Sequence, residues 1–107
     1  MINIPEKVKI AGFTYNVIRP ETSFVNTATA AACDGLHSYD SQEITVAKRG
    51  SDEYQSLVFL HEVCHAICSA YCGGILSDYD EEKFVAQFAK GLFQAIEDNP
   101  SMLRKEE

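Results

Sequence analysis

Hydrophobic residues alternate with polar ones in the first part of the chain and follow a helical period in the second. Within residues 8–17 the alternation runs on both sides of Ala11-Gly12, which predicts two short strands joined by a tight turn. Arg19-Pro20 ends this hairpin. A third strand is predicted at Glu43–Ala47, and Asp34-Gly35 is predicted to form a turn before it.

The second half of the chain predicts two helices. A wide apolar band over about 52–72 indicates a largely buried helix. Ser51 or Asp52 can cap its start. Gly73-Gly74 follows the band and predicts a helix end with a left-handed residue. A narrower apolar stripe over about 79–98 indicates a second, amphipathic helix.

These elements predict an α+β fold in which a small antiparallel or mixed sheet packs on two helices. The sheet is expected to contain the N-terminal hairpin and the strand near 43–47. Residues 21–32 have weak periodicity and fit a loop, a ragged strand or a helical turn equally well. A length of 107 residues fits one domain, residues 1–107, with a charged and flexible tail at 101–107.

The net charge of the chain argues against two classes of binding partner. The formal net charge is −7, whereas nucleic acids and anionic membranes are bound by basic surfaces. Neither is therefore expected as a partner. The first residues lack the pattern of a secretory leader, and no apolar run is long enough to cross a bilayer. These features predict a cytoplasmic protein.

Three of the four cysteines, Cys64, Cys68 and Cys72, fall at intervals of four within the first predicted helix. Residues at this interval lie along one stripe, where helical geometry does not favour a disulfide. We expect reduced thiols that contribute to packing.

The first predicted helix also contains His61-Glu62-Val63-Cys64-His65, a complete H-E-x-x-H motif. Histidines four residues apart share one face of a helix, so both imidazoles can bind one metal ion. Glu62 would then lie next to the open coordination position. The motif predicts a zinc-dependent hydrolase, most simply a peptidase, with His61 and His65 as metal ligands and Glu62 as the catalytic base.

A catalytic zinc site usually has a third protein ligand. The acidic residues at the start of the second helix are the candidates: Asp78, Asp80, Glu81 and Glu82. Asp78 and Glu81 have capping-box spacing, which would turn Glu81 back toward the helix end and leave Glu82 free for the metal. Glu82 is therefore preferred, and Glu81 stays open as the alternative. Cys72 is excluded because it would lie about 16 Å along the helix from His61.

Three segments resemble the small zincin-like metallopeptidases of phages and prophages, and more distantly those of the ImmA/IrrE type. The segments are residues 57–67, residues 82–94 continuing to Asp98-Asn99-Pro100, and residues 9–17. The resemblance implies zinc, peptidase chemistry, a small sheet packed on two helices, and Glu82 as a gluzincin-like third ligand. The chain departs from the group at Cys64, where an aliphatic residue is usual.

The predicted reaction is hydrolysis of a peptide bond in a peptide or protein substrate. Zinc would acidify a water molecule, and Glu62 would take its proton and return it to the leaving amine. The strand Ile44–Ala47 could form a sheet edge that the substrate extends. Candidates for an additional oxyanion donor are His37, Tyr39, Tyr54 and Tyr79.

Two other functions fit the same pattern. The first is a zincin-shaped binding module that uses metal for stability and holds a partner protein without significant proteolysis. The second is a closed structural zinc site, for which Cys68 is the near candidate as fourth ligand. The intact Glu62 favours the hydrolase, because a structural zinc needs no general base.

Overall fold

The computed structural model describes residues 3–103, and these form an α+β fold. The strands are β1 (Lys7–Ile10), β2 (Phe13–Ile18), β3 (Phe24–Asn26), β4 (Ala31–Cys33), β5 (Gly35–Ser38) and β6 (Glu43–Val46). The helices are α1 (Asp52–Tyr71) and α2 (Asp78–Asp98). The predicted class and both predicted helices are confirmed. Residues 101–103 form a turn, and the rest of the predicted tail lies outside the described residues.

Four strands form one mixed sheet in the order β1-β2-β6-β5, and β3 and β4 form a separate pair. The predicted hairpin is present, and Ala11 and Gly12 at its turn both have positive φ, 53° and 85°. β6 pairs parallel to β2 and antiparallel to β5. The expectation that the strand near 43–47 forms an edge is therefore wrong, because β6 has a neighbour on each side.

The edges of this sheet are β1 and β5, and the sequence did not predict β5. The expected turn at Asp34-Gly35 is present only as a bend at Asp34, because Gly35 already begins this strand. Main-chain pairing decides the outcome: Gly35 lies opposite Val46, and Ala47 N donates to the carbonyl of Asp34 at 2.8 Å. The undecided segment 21–32 contains β3 and the start of β4.

Helix α1 lies between the sheet and α2, which explains its wide apolar band. One core cluster joins the sheet to α1, and its buried members include Tyr15, Ile44 and Phe59. The second joins α1 to α2 through Cys64, Cys68, Val85 and Ala89. The described thiols are free, as predicted, and Cys64 and Cys68 are packing residues of the second cluster.

The helix ends differ in part from the prediction. Ser51 caps α1, since its Oγ accepts a hydrogen bond from Tyr54 N at 3.1 Å. α1 ends at Tyr71 and is followed by the C-cap residue Cys72, whose N–H donates to the carbonyl of Cys68; neither Gly73 nor Gly74 has positive φ. A left-handed glycine is unnecessary here because Cys72 itself ends the helix with φ −114°.

Within residues 3–103, no helix combines the length and apolar character that crossing a membrane requires.

Candidate metal centre

His61 and His65 lie one turn apart on the same face of α1, as the motif predicts. Their Nε2 atoms are 3.2 Å apart, and their ring centroids are 4.9 Å apart. Both side chains are partly buried, with exposed fractions of 26% and 14%. The two imidazoles therefore point their Nε2 atoms at one small region beside the helix.

Glu82 reaches the same region from α2. Its carboxylate oxygens lie 2.9 Å from His65 Nε2 and 3.4 Å from His61 Nε2. One ligand atom from each of these three residues falls within 4.8 Å of the others. In the part of the chain that the structure describes, this is a possible metal-binding triad, and it contains the three residues predicted as ligands.

The donor set fits zinc. Tetrahedral bonds of about 2.0–2.1 Å place neighbouring ligand atoms about 3.3 Å apart. The separations of 3.2, 3.4 and 2.9 Å are close to this value. Two imidazoles and one carboxylate are also the protein ligands of a known class of catalytic zinc site, in which the fourth position stays open.

The choice of Glu82 over Glu81 is supported, but the capping argument for it is wrong. Ser77, not Asp78, caps α2, and its Oγ accepts a hydrogen bond from Asp80 N at 3.2 Å. Glu81 is therefore one residue beyond the capping-box position. Asp78 and Asp80 are exposed and lie outside the triad.

Glu81 is occupied by a different contact: its Oε2 lies 2.7 Å from His65 Nδ1. With a metal bound at Nε2, the ring proton of His65 would lie on Nδ1 and would donate to this carboxylate. The Nε2 lone pair of His65 then faces the triad. Carboxylates in this position orient histidine ligands and increase their basicity in metal sites. Glu81 thus contacts His65 and lies outside the possible metal-binding group of the described residues.

Glu62 lies at the side of the triad, and only 7% of the residue is exposed. Burial raises the pKa of Glu62 to about 7; the charge of His65 lowers it and that of Glu82 raises it. A desolvated carboxylate binds a proton more tightly than one in water.

Burial also acts on two histidines near the site. It lowers the pKa of His61, and the neighbouring charge of His65 lowers that pKa further. The carboxylate of Glu82 raises the pKa of His61, and the charge of Lys90 lowers it. Burial likewise lowers the pKa of His37, with a smaller contribution from His65. Neutral imidazoles are therefore favoured, which is the form that binds a metal.

Gly35 of β5 packs directly on Glu62. A Cβ atom at position 35 would lie 2.7 Å from Glu62 Oε2 and 2.6 Å from Val58 Cγ1, distances that atoms do not tolerate. The glycine thus allows the edge strand to approach α1 at the motif. The sequence pattern predicts a turn at Gly35 and gives no sign of this close approach.

An open cavity of about 440 Å³ contains the triad and Glu62. Its other walls include His37 and Leu36 of β5, Asn26 of β3 and Cys33 of β4. The short β3–β4 pair therefore contributes to the site, although the sequence left this segment undecided. The polar side chains and open mouth make this cavity suitable for a hydrated or hydrogen-bonding ligand.

Among the four residues considered as oxyanion donors, His37 alone lines the cavity of the triad. It lies in strand β5, and its Nε2 is 3.3 Å from the hydroxyl of Tyr15. Tyr54 lines a neighbouring cavity, where its hydroxyl donates to Asp34 at 2.5 Å. Tyr39 and Tyr79 line neither of these two cavities.

Cys68 does not contribute to the triad. Its side chain is buried, with 3% exposure, in the core cluster between α1 and α2. The described metal-binding group contains histidine and carboxylate atoms only. The geometry therefore gives no support to a closed site with a cysteine ligand.

Comparison of the chain with models of protein families, with curated proteins and with solved structures found no match.

Proposed function

We propose that this protein is a zinc-dependent peptidase in which His61, His65 and Glu82 hold the metal and Glu62 is the general base. The observation that carries the proposal is that Glu62, although mostly buried, lines the same cavity as three converging ligand atoms. The zincin-like resemblance of the H-E-x-x-H segment leads to the same proposal. Zinc, when bound, would supply the Lewis acid that acidifies water and polarises the scissile carbonyl.

Glu62 has the position that a general base needs. Its carboxylate lies on the wall of the cavity, and no hydrogen bond ties it to another residue among 3–103. It is therefore free to accept a proton from water and to deliver that proton to the leaving amine. Gly35 packs against Glu62 from the sheet side, and a larger residue at position 35 would overlap the carboxylate.

The edge strand β5 offers a place for an extended substrate. Its inner side pairs with β6, and it has no second neighbour in the described sheet. A peptide added along β5 would use main-chain hydrogen bonds and would pass beside the triad. His37, in the same strand, would then be placed to donate to the substrate carbonyl. This replaces the expectation that the strand at 44–47 receives the substrate.

The test is cleavage of a defined peptide mixture, followed by mass spectrometry, with zinc-loaded protein. Replacing Glu62 by Gln keeps the size of the side chain but removes the base, so we expect cleavage to fall by at least about 100-fold while zinc stays bound. Glu53→Gln is the matched control, because Glu53 is an exposed residue in the first turn of the same helix. It should leave the rate unchanged.

Two results would count against this proposal. Equal cleavage by wild type and Glu62→Gln would remove Glu62 from the reaction. Stoichiometric zinc without any cleavage by wild type would leave the alternative function, a metal-stabilised module that holds a partner protein.

A further inference from the structure

A second cavity, of about 260 Å³, lies next to the triad between α1 and α2. It shares three residues with the cavity that contains the triad: Gly35, His61 and Glu62. A peptide whose scissile bond lies at Glu62 could therefore place a side chain from near that bond in this cavity. No step in the proposed hydrolysis uses the second cavity.

The walls of this cavity are mostly apolar. Leu57 and Val58 of α1 form one side, and Ala86 and Ala89 of α2 form the other. The space exists because α2 has two alanines where larger residues would fill the groove between the helices. A group with a hydrocarbon stem can therefore enter and remove apolar surface from water.

Among the described residues that line the cavity, one cation has no ion pair. Asp34 accepts hydrogen bonds from Ser23 at 2.5 Å, from Arg49 at 2.8 Å and from Tyr54 at 2.5 Å, so its charge is compensated. Lys90 also lines the cavity, and it has no ion pair or hydrogen bond with the described residues. Glu62 lines both cavities and already has a role in the proposed hydrolysis. Lys90 is thus the charge available to a ligand.

We propose that the second cavity is a substrate subsite for a residue that carries a carboxylate on an apolar stem, with Lys90 as its partner. This inference rests on the proposed function and names its substrate class. The carboxylate can come from an acidic side chain near the scissile bond or from the C-terminus of the substrate. The net charge of −7 repels acidic peptides at long range, but salt screens that repulsion beyond about 8 Å, and the local cation then decides.

The experiment compares two readouts on one set of peptides. Each peptide is offered with Glu, Gln or Leu at successive positions, and with a free or an amidated C-terminus. Cleavage is measured with zinc-loaded wild type. Binding is measured by fluorescence anisotropy with zinc-loaded Glu62→Gln protein, because this variant is expected to bind the peptide without cleaving it.

The variant that tests the subsite is Lys90→Met, which removes the charge and keeps the stem. Its matched control is Lys83→Met on the same helix, because the Lys83 ammonium lies 4.4 Å from the ring of Tyr79 and lines neither cavity. We expect wild type to favour one carboxylate-bearing series by about fivefold, the size of a partly exposed ion pair. Lys90→Met should lose that preference, and Lys83→Met should keep it.

The outcomes separate this inference from the proposed function. Binding that depends on Lys90 without cleavage supports the subsite and counts against hydrolysis. Cleavage with the same preference in wild type and Lys90→Met overturns the subsite and leaves hydrolysis standing. Absence of both binding and cleavage overturns both. The Glu series and the free C-terminus series distinguish the two sources of the carboxylate.

A second variant tests the cavity itself. Ala86 is partly exposed on α2, and leucine is a good helix former, so Ala86→Leu should fold while filling the space. We expect this variant to bind peptides with glycine at the selected position as wild type does, and to lose affinity for the longer residue. Unchanged affinity for the longer residue, in a variant whose circular dichroism matches wild type, would overturn the subsite.

Discussion

At the scale of single residues, Glu81 and Glu82 are neighbours in the sequence with different contacts. Glu82 is 62% exposed and faces the Nε2 atoms of both histidines. Glu81 is 25% exposed and lies against Nδ1 of His65. Successive residues of a helix differ by about 100° in direction, which lets one acid approach the triad and the other the outer side of a ligand.

Replacing Glu81 by Gln should therefore weaken zinc binding without removing a ligand. The loss of charge beside Nδ1 makes His65 a poorer ligand, and we expect the dissociation constant for zinc to rise by about tenfold. Competition with a chromophoric chelator measures this change. Asp78→Asn removes the same charge from an exposed position at the start of α2 and should have little effect. A zinc affinity equal to that of wild type in Glu81→Gln would show that the contact does not support the site.

The residue scale also shows what the sequence could predict about the site. The H-E-x-x-H spacing places His61 and His65 together on any helix, because helical geometry is local. Glu82 comes from another element, and the capping argument identified it although Ser77 is the actual cap. The contact between Glu81 and His65 depends on how α2 packs on α1, which the local pattern does not determine.

At the scale of elements, β5 is the part of the site that local sequence describes least well. Gly35-Leu36-His37-Ser38 contains one large apolar residue, so it lacks the alternation that predicts a strand. It becomes a strand because β6 pairs with it and α1 lies against Gly35. The edge on which substrate is proposed to bind is thus set by tertiary contacts.

Gly35→Ala tests the approach of this strand to α1. The new methyl group would overlap Val58 and Glu62, so β5 must move away, at a cost of about 1 to 3 kcal/mol in the free energy of unfolding. Cleavage should fall as well, because Glu62 loses its support. Gly91→Ala is the control: a Cβ there meets no atom within 4 Å, and the change should be neutral or stabilising. Urea denaturation of both variants checks the difference, and equal stability would contradict the close approach.

Asp34 lies directly before β5, and its hydrogen bonds predict that the stability of the fold depends on pH. Hydrogen bonds from Ser23 and then Tyr54 hold the pKa of Asp34 below its ordinary value, with a further contribution from Arg49. Because the folded pKa is depressed, the stabilisation is fully present above the unfolded pKa of about 3.9 and is lost as pH falls through the folded pKa.

Asp34→Asn should therefore destabilise the protein most near pH 6, and the difference from wild type should shrink as the pH falls below about 4. Urea denaturation of both proteins across this range measures the difference directly, so that other titrating groups cancel. A difference that stays constant with pH would show that the charge of Asp34 does not stabilise the fold.

At the scale of the whole molecule, α1 is the central element, since one core cluster joins it to the sheet and another joins it to α2. The triad adds a third connection, because His61 and His65 belong to α1 and Glu82 belongs to α2. A metal at this position would link the two helices in the folded state only. Zinc should therefore act on stability as well as on chemistry.

Zinc at 100 times its dissociation constant should stabilise the folded state by about 2.7 kcal/mol. For a domain of this size, that corresponds to a rise of about 10 °C or more in the melting temperature. Thermal denaturation followed by circular dichroism measures the rise. His65→Ala should lose most of it, and Asp78→Asn should keep it. A rise of the same size in His65→Ala would place the stabilising metal elsewhere.

The coarse fold could be predicted because its signals are local: alternation in the hairpin, a wide apolar band in α1 and a narrow stripe in α2. Strand order could not, because β6 pairs in parallel with β2 across the intervening strands β3, β4 and β5. The zincin-like character and the peptidase activity remain proposals at this scale. They depend on the identity and ligands of the metal.

Zinc-edge X-ray absorption of the protein loaded with one equivalent of zinc is the most direct test of this centre. We predict nitrogen and oxygen neighbours at about 2.0–2.1 Å, with the multiple scattering of two imidazoles and no sulfur. In His61→Ala the imidazole contribution should fall to one ring. A sulfur neighbour at about 2.3 Å, or a spectrum without imidazole scattering, would contradict the proposed centre of His61, His65 and Glu82.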